Sequence, residues 1–264
     1  MIVKKDVFSL FVFFILSTNC YSKKNFPHEE LYQSAQNNFH DKKYNDALEK
    51  FNKYLELTKN SKHAKKRIFW AIDYISRIHL RIKADPESAI KLFDEFEKDK
   101  RLNDEQFDII QEWKEVTKDW KKNRKTLIVG NEDQLFNLGK KYFENGNKKS
   151  KGTNYRRSDM DYTLSKNYLL KYYFEYPEGK HIAETLYLLG VIKYRHLADR
   201  VYWSENYYLK ELINRFPHSD FSWKAWEKLN EDTLMGYTGS GGDNTPPEIK
   251  KMLLRYKVLA KPAK

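Results

Sequence analysis

Residues 173–195 read YFEYPEGKHIAETLYLLGVIKYR, and the break inside them decides how the chain folds. One helix runs out on Tyr173, Phe174 and Tyr176. Pro177 has no N–H for a helical hydrogen bond and biases Tyr176 away from the helical region. Gly179-Lys180 turns the chain, and a second helix carries Leu186, Tyr187, Leu189, Gly190 and Tyr194 along one side. Within that helix Gly190 costs about 1 kcal/mol against alanine, unless another helix needs the space. The stretch therefore predicts two helices packed as a hairpin.

Outward from it the pattern returns. Tyr187-x-x-Gly190-x-x-x-Tyr194 has counterparts in Tyr32-x-x-Ala35-x-x-x-Phe39 and Phe136-x-x-Gly139-x-x-x-Phe143. Each sets aromatic, small and aromatic residues on one helix face, with Leu31, Leu135 or Leu186 just before. The following helices carry core pairs at Ala47/Phe51, Ala89/Phe93, Ser165/Leu169 and Glu205/Leu209, and Tyr176-Pro177 is echoed by Phe216-Pro217. Helix-turn-helix units repeating every 34–40 residues or so are the mark of tetratricopeptide-type arrays.

Composition agrees with long helices. Of only 10 glycines, four lie between Gly236 and Gly242, and aromatics reach 16% with 19 tyrosines. Long amphipathic helices packed through Tyr, Phe and Leu fit this better than strands of alternating β-branched residues.

At the N-terminus Lys4 and Lys5 precede the ten-residue run Val7–Leu16, apolar except for Ser9. That is too short to span a bilayer and suits a secretory signal, so residues 1–19 are expected to be a signal peptide. Leu16-Ser17-Thr18-Asn19-Cys20 resembles the lipobox of bacterial lipoproteins. The resemblance implies cleavage before Cys20, acylation of its thiol and amine, and residues 20–27 as a linker from the lipid anchor. Ordinary secretion with cleavage after Ser22, or an uncleaved anchor, also fits these residues. No later stretch approaches the roughly 18 apolar residues of a membrane span. With Cys20 the only cysteine, no disulfide framework is expected. Removing residues 1–19 leaves 47 basic against 36 acidic residues, a net +11. Export directs that charge toward envelope partners and away from nucleic acid.

Tyr176-Pro177-Glu178-Gly179…Ala183…Leu189-Gly190…Tyr194 resembles the inter-repeat signature of tetratricopeptide lipoproteins of Gram-negative envelopes. These include the outer-membrane β-barrel assembly lipoprotein family and the Tol-Pal-associated family; the likeness covers about residues 28–60 and 132–230. It implies an all-α, tetratricopeptide-like helix-hairpin superhelix of about four to five hairpins. It also implies a non-enzymatic scaffold, lipid-anchored at the outer membrane and facing the periplasm. Tyr21 after Cys20 is compatible with outer-membrane sorting. The expected partners are envelope proteins, a β-barrel assembly complex among them. Scaffolding of division, motility or peptidoglycan synthesis, and binding or processing of a cell-wall glycan, are the alternatives.

Residues 28–125 are expected to form N-terminal repeat-like helices and 126–235 the C-terminal repeats. Lys62–Lys83 reads as one long helix, and Asp85-Pro86 as a cap opening another. The helix from Asn103 to Trp120 has no partner in the pattern and reads as a spacer. Phe221, Trp223, Trp226 and Leu229 mark a capping helix. Residues 236–264 read as a flexible linker, Gly236–Pro247, and a short basic helix.

Chemistry has little support. The seven histidines show no zinc-ligand spacing, His28-Glu29-Glu30-Leu31-Tyr32 lacks the second histidine of a zinc motif, and Gly236–Gly242 lacks the Lys-Ser/Thr of a phosphate loop. Asp159 and Asp161 read as first-turn acids favoured by the helix dipole. No catalytic residue, metal site or cofactor is expected. Two features remain for binding. Tyr32, Phe39, Phe136, Lys140, Phe143, Tyr187, Val191 and Tyr194 line a concave groove or simply pack helix against helix. An insertion over 145–158 carries Lys148, Lys149, Lys151, Arg156 and Arg157; it is either a flexible loop that attracts anions or a tolerated, solvated one.

Overall fold

Side-chain acceptors start five of the described α-helices. Asp85 accepts from the Ser88 N–H at 3.0 Å with Pro86 in the first turn. Asn103 with Gln106, and Asn131 with Gln134, form reciprocal capping boxes. Asn206 and Ser219 open two more helices in the same way. Each cap satisfies N–H groups that the helix itself leaves unpaired.

A computed structural model describes residues 27–60, 65–151, 154–195 and 206–262. The expected signal peptide, the linker and Cys20 lie outside them, as does the side chain of Tyr194. Among the described residues there are twelve α-helices: α1 Pro27–His40, α2 Tyr44–Leu57, α3 Lys65–Arg77, α4 Pro86–Phe96, α5 Asp104–Asn123, α6 Thr126–Val129, α7 Glu132–Ser150, α8 Asp159–Glu175, α9 Ile182–Arg195, α10 Tyr207–Arg215, α11 Asp220–Tyr237 and α12 Pro247–Ala260. The described strands are β1 Thr238–Gly239 and β2 Gly242–Asp243, antiparallel to each other. No described helix is long and apolar enough to cross a membrane.

The protein is an all-α array of helical hairpins, as the aromatic-small-aromatic pattern predicts. α1/α2, α3/α4, α7/α8, α9/α10 and α11/α12 pair along the chain; α2 packs on α3, α8 on α9 and α10 on α11, while α5 carries the contact from α4 across to α8. α9 also touches α7 on one side and α11 on the other, forming a layer of first helices. The small residues sit where helices close in. A Cβ on Gly139 would lie 2.7 Å from Leu169, and one on Gly190 would lie 2.3 Å from Leu209.

Several expectations need correction. α5 is no spacer: Ile109, Ile110, Trp113, Thr117 and Trp120 are buried, and it packs on α4 and across to α8. Its tryptophans are seven residues apart, so one face carries both. In place of one long α-helix up to Lys83, α3 ends at Arg77 and the chain continues as one wider, π-type turn over Ile78–Ile82. The insertion is not a loop throughout, because α7 runs on to Ser150 and a short 3₁₀ turn covers Tyr155–Ser158. Gly146 allows the Tyr162 ring to lie against the helix there, and Tyr162 Oη donates to Asn147 Oδ1 at 2.9 Å. Gly236–Pro247 is not a plain linker either; α11 extends through Tyr237 and the β1–β2 turn follows. The terminal cap is α12, which buries Leu253, Tyr256 and Ala260 on α11 and α10 and accepts a hydrogen bond from Trp226 Nε1 on Leu253 O, 3.1 Å.

Candidate interaction surfaces

The signature aromatics hold helices together. Tyr32 is buried edge-on to Phe51 with centroids 5.7 Å apart, and Phe39 packs on Tyr74 at 4.8 Å. Phe136 stacks on the His181 ring at 4.0 Å, and Phe143 tilts against Tyr162 at 6.0 Å. Tyr32, Phe136, Phe143 and Val191 are therefore buried, which corrects their reading as an open groove lining. Lys140 and Tyr187 differ, since both stay half-exposed on the α7–α9–α11 layer.

On that layer the outer residues make a row. Lys140 Nζ meets Glu184 Oε1 at 2.8 Å and lies over the Phe136 ring. Its hydrogen bond to Glu184 holds the ammonium above its usual pKa. Tyr187 leans on Phe221, 6.2 Å between centroids, and exposed Lys224 has its ammonium 5.4 Å from the Phe221 ring centroid. The result is a surface of alternating charge and half-exposed aromatic rings along three helices.

The proline-broken turn is tied to the same layer. Tyr172 Oη donates to Glu132 Oε1 at 2.6 Å and accepts from the His181 N–H at 2.9 Å. The Lys180 N–H also donates to Glu132, while Lys180 Nζ and His181 reach Asp133. Those two partners, Lys180 first, hold the Asp133 carboxyl below its usual range. Glu132 and Asp133 lie in the first turn of α7, where carboxylates also favour the helix dipole.

The basic insertion is largely committed. Lys148 and Lys151 are exposed, but Lys149 Nζ is 2.6 Å from Asp161 Oδ2, and Arg157 pairs with Glu112 and, at 3.8 Å, with Asp108. Arg156 is buried, its guanidinium 3.5 Å from the Trp70 ring centroid and 3.6 Å from Asp73 Oδ2. Its backbone carbonyl accepts from Trp113 Nε1 at 2.9 Å. A free anion-attracting loop is thus reduced to two lysines.

Arg156 belongs to a buried ion cluster that sequence reading missed. Arg77 bridges Asp73 at 2.7 Å and Asp159 at 3.2 Å, and all three side chains are almost fully inaccessible. Two guanidiniums face two carboxylates, which removes the net charge that would make burial prohibitive. Asp159 and Asp161 do open α8, as expected, but both are buried. The available signal was Asp73 and Arg77, a charged pair at helical spacing directly after the apolar run Ile68–Ile72.

Asp161 yields a prediction. Burial raises its carboxyl pKa, with Lys149 opposing. A carboxyl raised on folding favours the protonated folded state, so stability is greatest below the unfolded value near 3.8 and falls as pH climbs through the raised folded value. Asp161→Asn is expected to flatten that fall while leaving neutral-pH stability unchanged or higher. Denaturation midpoints measured from about pH 4 to 7 would check it. An unchanged slope in the variant contradicts the assignment.

Among the described residues no group of three or more His, Cys, Asp or Glu is placed to hold a metal ion. Comparisons with protein-family models, curated proteins and solved structures find no match.

Proposed function

We propose that this chain is a non-enzymatic tetratricopeptide-type scaffold of the bacterial envelope. Acylated Cys20 holds it at the outer membrane facing the periplasm, and it binds protein partners during outer-membrane protein assembly. Support for the anchor comes from Lys4-Lys5, the Val7–Leu16 run and the Cys20 lipobox; support for the process comes from the resemblance around Tyr176–Tyr194.

One structural observation carries the binding reading. The α7–α9–α11 layer keeps Lys140, Glu184, Tyr187, Phe221 and Lys224 in one accessible row, while buried aromatics beneath fix the helices. Half-exposed aromatic rings beside charged groups are what anchor a partner's segment at protein interfaces.

Affinity capture from detergent-solubilised envelopes tests this. The full chain is expected to recover a β-barrel assembly complex, and Lys140→Glu with Tyr187→Ala is expected to reduce recovery at least about 10-fold. Thermal stability should hardly change, because a partly exposed ion pair contributes about 0–1 kcal/mol. Recovery of division or motility proteins alone, or glycan binding without a protein partner, overturns the assembly reading. Mass spectrometry of the mature protein should find an N-terminus at acylated Cys20; one at Met1 or Lys23 overturns the anchor.

A further inference from the structure

α12 is amphipathic in an unusual sense. Ile249, Met252, Leu253, Tyr256 and Ala260 recur at helical spacing and pack inward. The opposite face, which should be uniformly polar, instead reads Lys251, Leu254, Arg255 and Val258. Leu254 and Val258 are 63% and 65% exposed and stand one turn apart. Around them are Lys250, Lys257 and Lys261, and Glu248 is the only acid of the helix.

The cations are not equivalent. Lys250 is bound to Asp243 at 2.8 Å, and Lys257 lies over the Trp226 ring at 5.0 Å. Arg255 lies over the ring of its neighbour Tyr256 at 5.8 Å, but Lys251, Arg255 and Lys261 are all exposed and have no ion-pair partner among the described residues. The helix end is held in place from below: the His218 N–H donates to Leu259 O at 3.0 Å, and His218 Nδ1 is 2.7 Å from Lys261 O.

We propose that this outward face of α12 docks on an anionic membrane surface. A ridge of one helix, with an apolar pair between long cationic side chains, matches a flat interface that takes apolar groups below and charges at headgroup level. Phosphates of nucleic acid would use the cations but leave Leu254 and Val258 without a role. An acidic protein would need a complementary concave face for a convex ridge. The contact comes from folded protein and does not depend on acylation of Cys20.

The test uses full-length Cys20→Ala, which carries no acyl chain and has no other cysteine. Val258→Cys in that background gives a single site for an environment-sensitive fluorophore. Vesicles of phosphatidylcholine with one-third phosphatidylglycerol are compared with pure phosphatidylcholine; since Val7–Leu16 favours any bilayer, the ratio is the readout. The anionic vesicles are expected to bind about 20-fold better and to blue-shift the probe. Lys251→Glu with Arg255→Glu should abolish both effects, each cation near an anionic surface being worth about 5-fold. Lys251 and Arg255 are both exposed, so circular dichroism should be unchanged. Binding that leaves the probe unshifted, equal binding to neutral vesicles, or the same shift on duplex DNA or an acidic protein each overturns the proposal. Loss of Cys20 acylation in cells would leave it standing.

Discussion

Asp159→Ala is expected to lower the unfolding free energy by about 3–5 kcal/mol, the usual cost of removing one partner from a buried ion pair. Two guanidiniums, Arg77 and Arg156, would then share the Asp73 carboxylate in a site with almost no access to water. The charge left over, more than the lost attraction, sets the magnitude. Arg77→Met together with Asp159→Ala removes one charge of each sign and leaves the Asp73–Arg156 pair. The double variant should therefore regain at least half of the loss, a non-additivity that denaturant unfolding reads directly. Additive losses would mean that Arg77 and Asp159 act independently. Because Asp159 opens α8 and Arg77 ends α3, hydrogen exchange should also rise on both helices in Asp159→Ala.

That cluster marks the limit of sequence reading. Arg77 and Asp159 are 82 residues apart, and a long-range partner leaves no local pattern. Asp85-Pro86, Asn103 and the Pro177 break were legible because caps and proline act through their own backbone. The continuation of α7 was not. Gly146, Asn147 and neighbouring lysines look like a loop, and only packing on Tyr162 makes them helical. The candidate groove failed for a related reason. Helical periodicity places Tyr32, Phe136 and Phe143 on one face without saying what covers it, and here another helix does. Lys140 and Tyr187 survive on the surface because they stand at the edge of that covered stripe.

Gly190 tests the hairpin packing through the sign of the effect. On an open helix face Gly190→Ala would stabilise by about 1 kcal/mol, the gain in helix propensity. The structure puts the added methyl 2.3 Å from Leu209 Cδ2 and 2.6 Å from its Cγ, and Leu209 is itself fully buried. Overpacking should cancel the propensity gain and exceed it, so that Gly190→Ala destabilises by about 1 kcal/mol net and the bulkier Gly190→Val by about 3 kcal/mol. Leu209→Ala alone should cost about 2–5 kcal/mol by leaving a cavity. In Gly190→Ala with Leu209→Ala the new methyl enters that cavity, and the pair should be more stable than the sum of the single losses. Thermal or denaturant midpoints of the four proteins decide it. If Gly190→Ala stabilises, α9 and α10 do not approach at this glycine, and the repeated aromatic-small-aromatic pattern loses its physical cause.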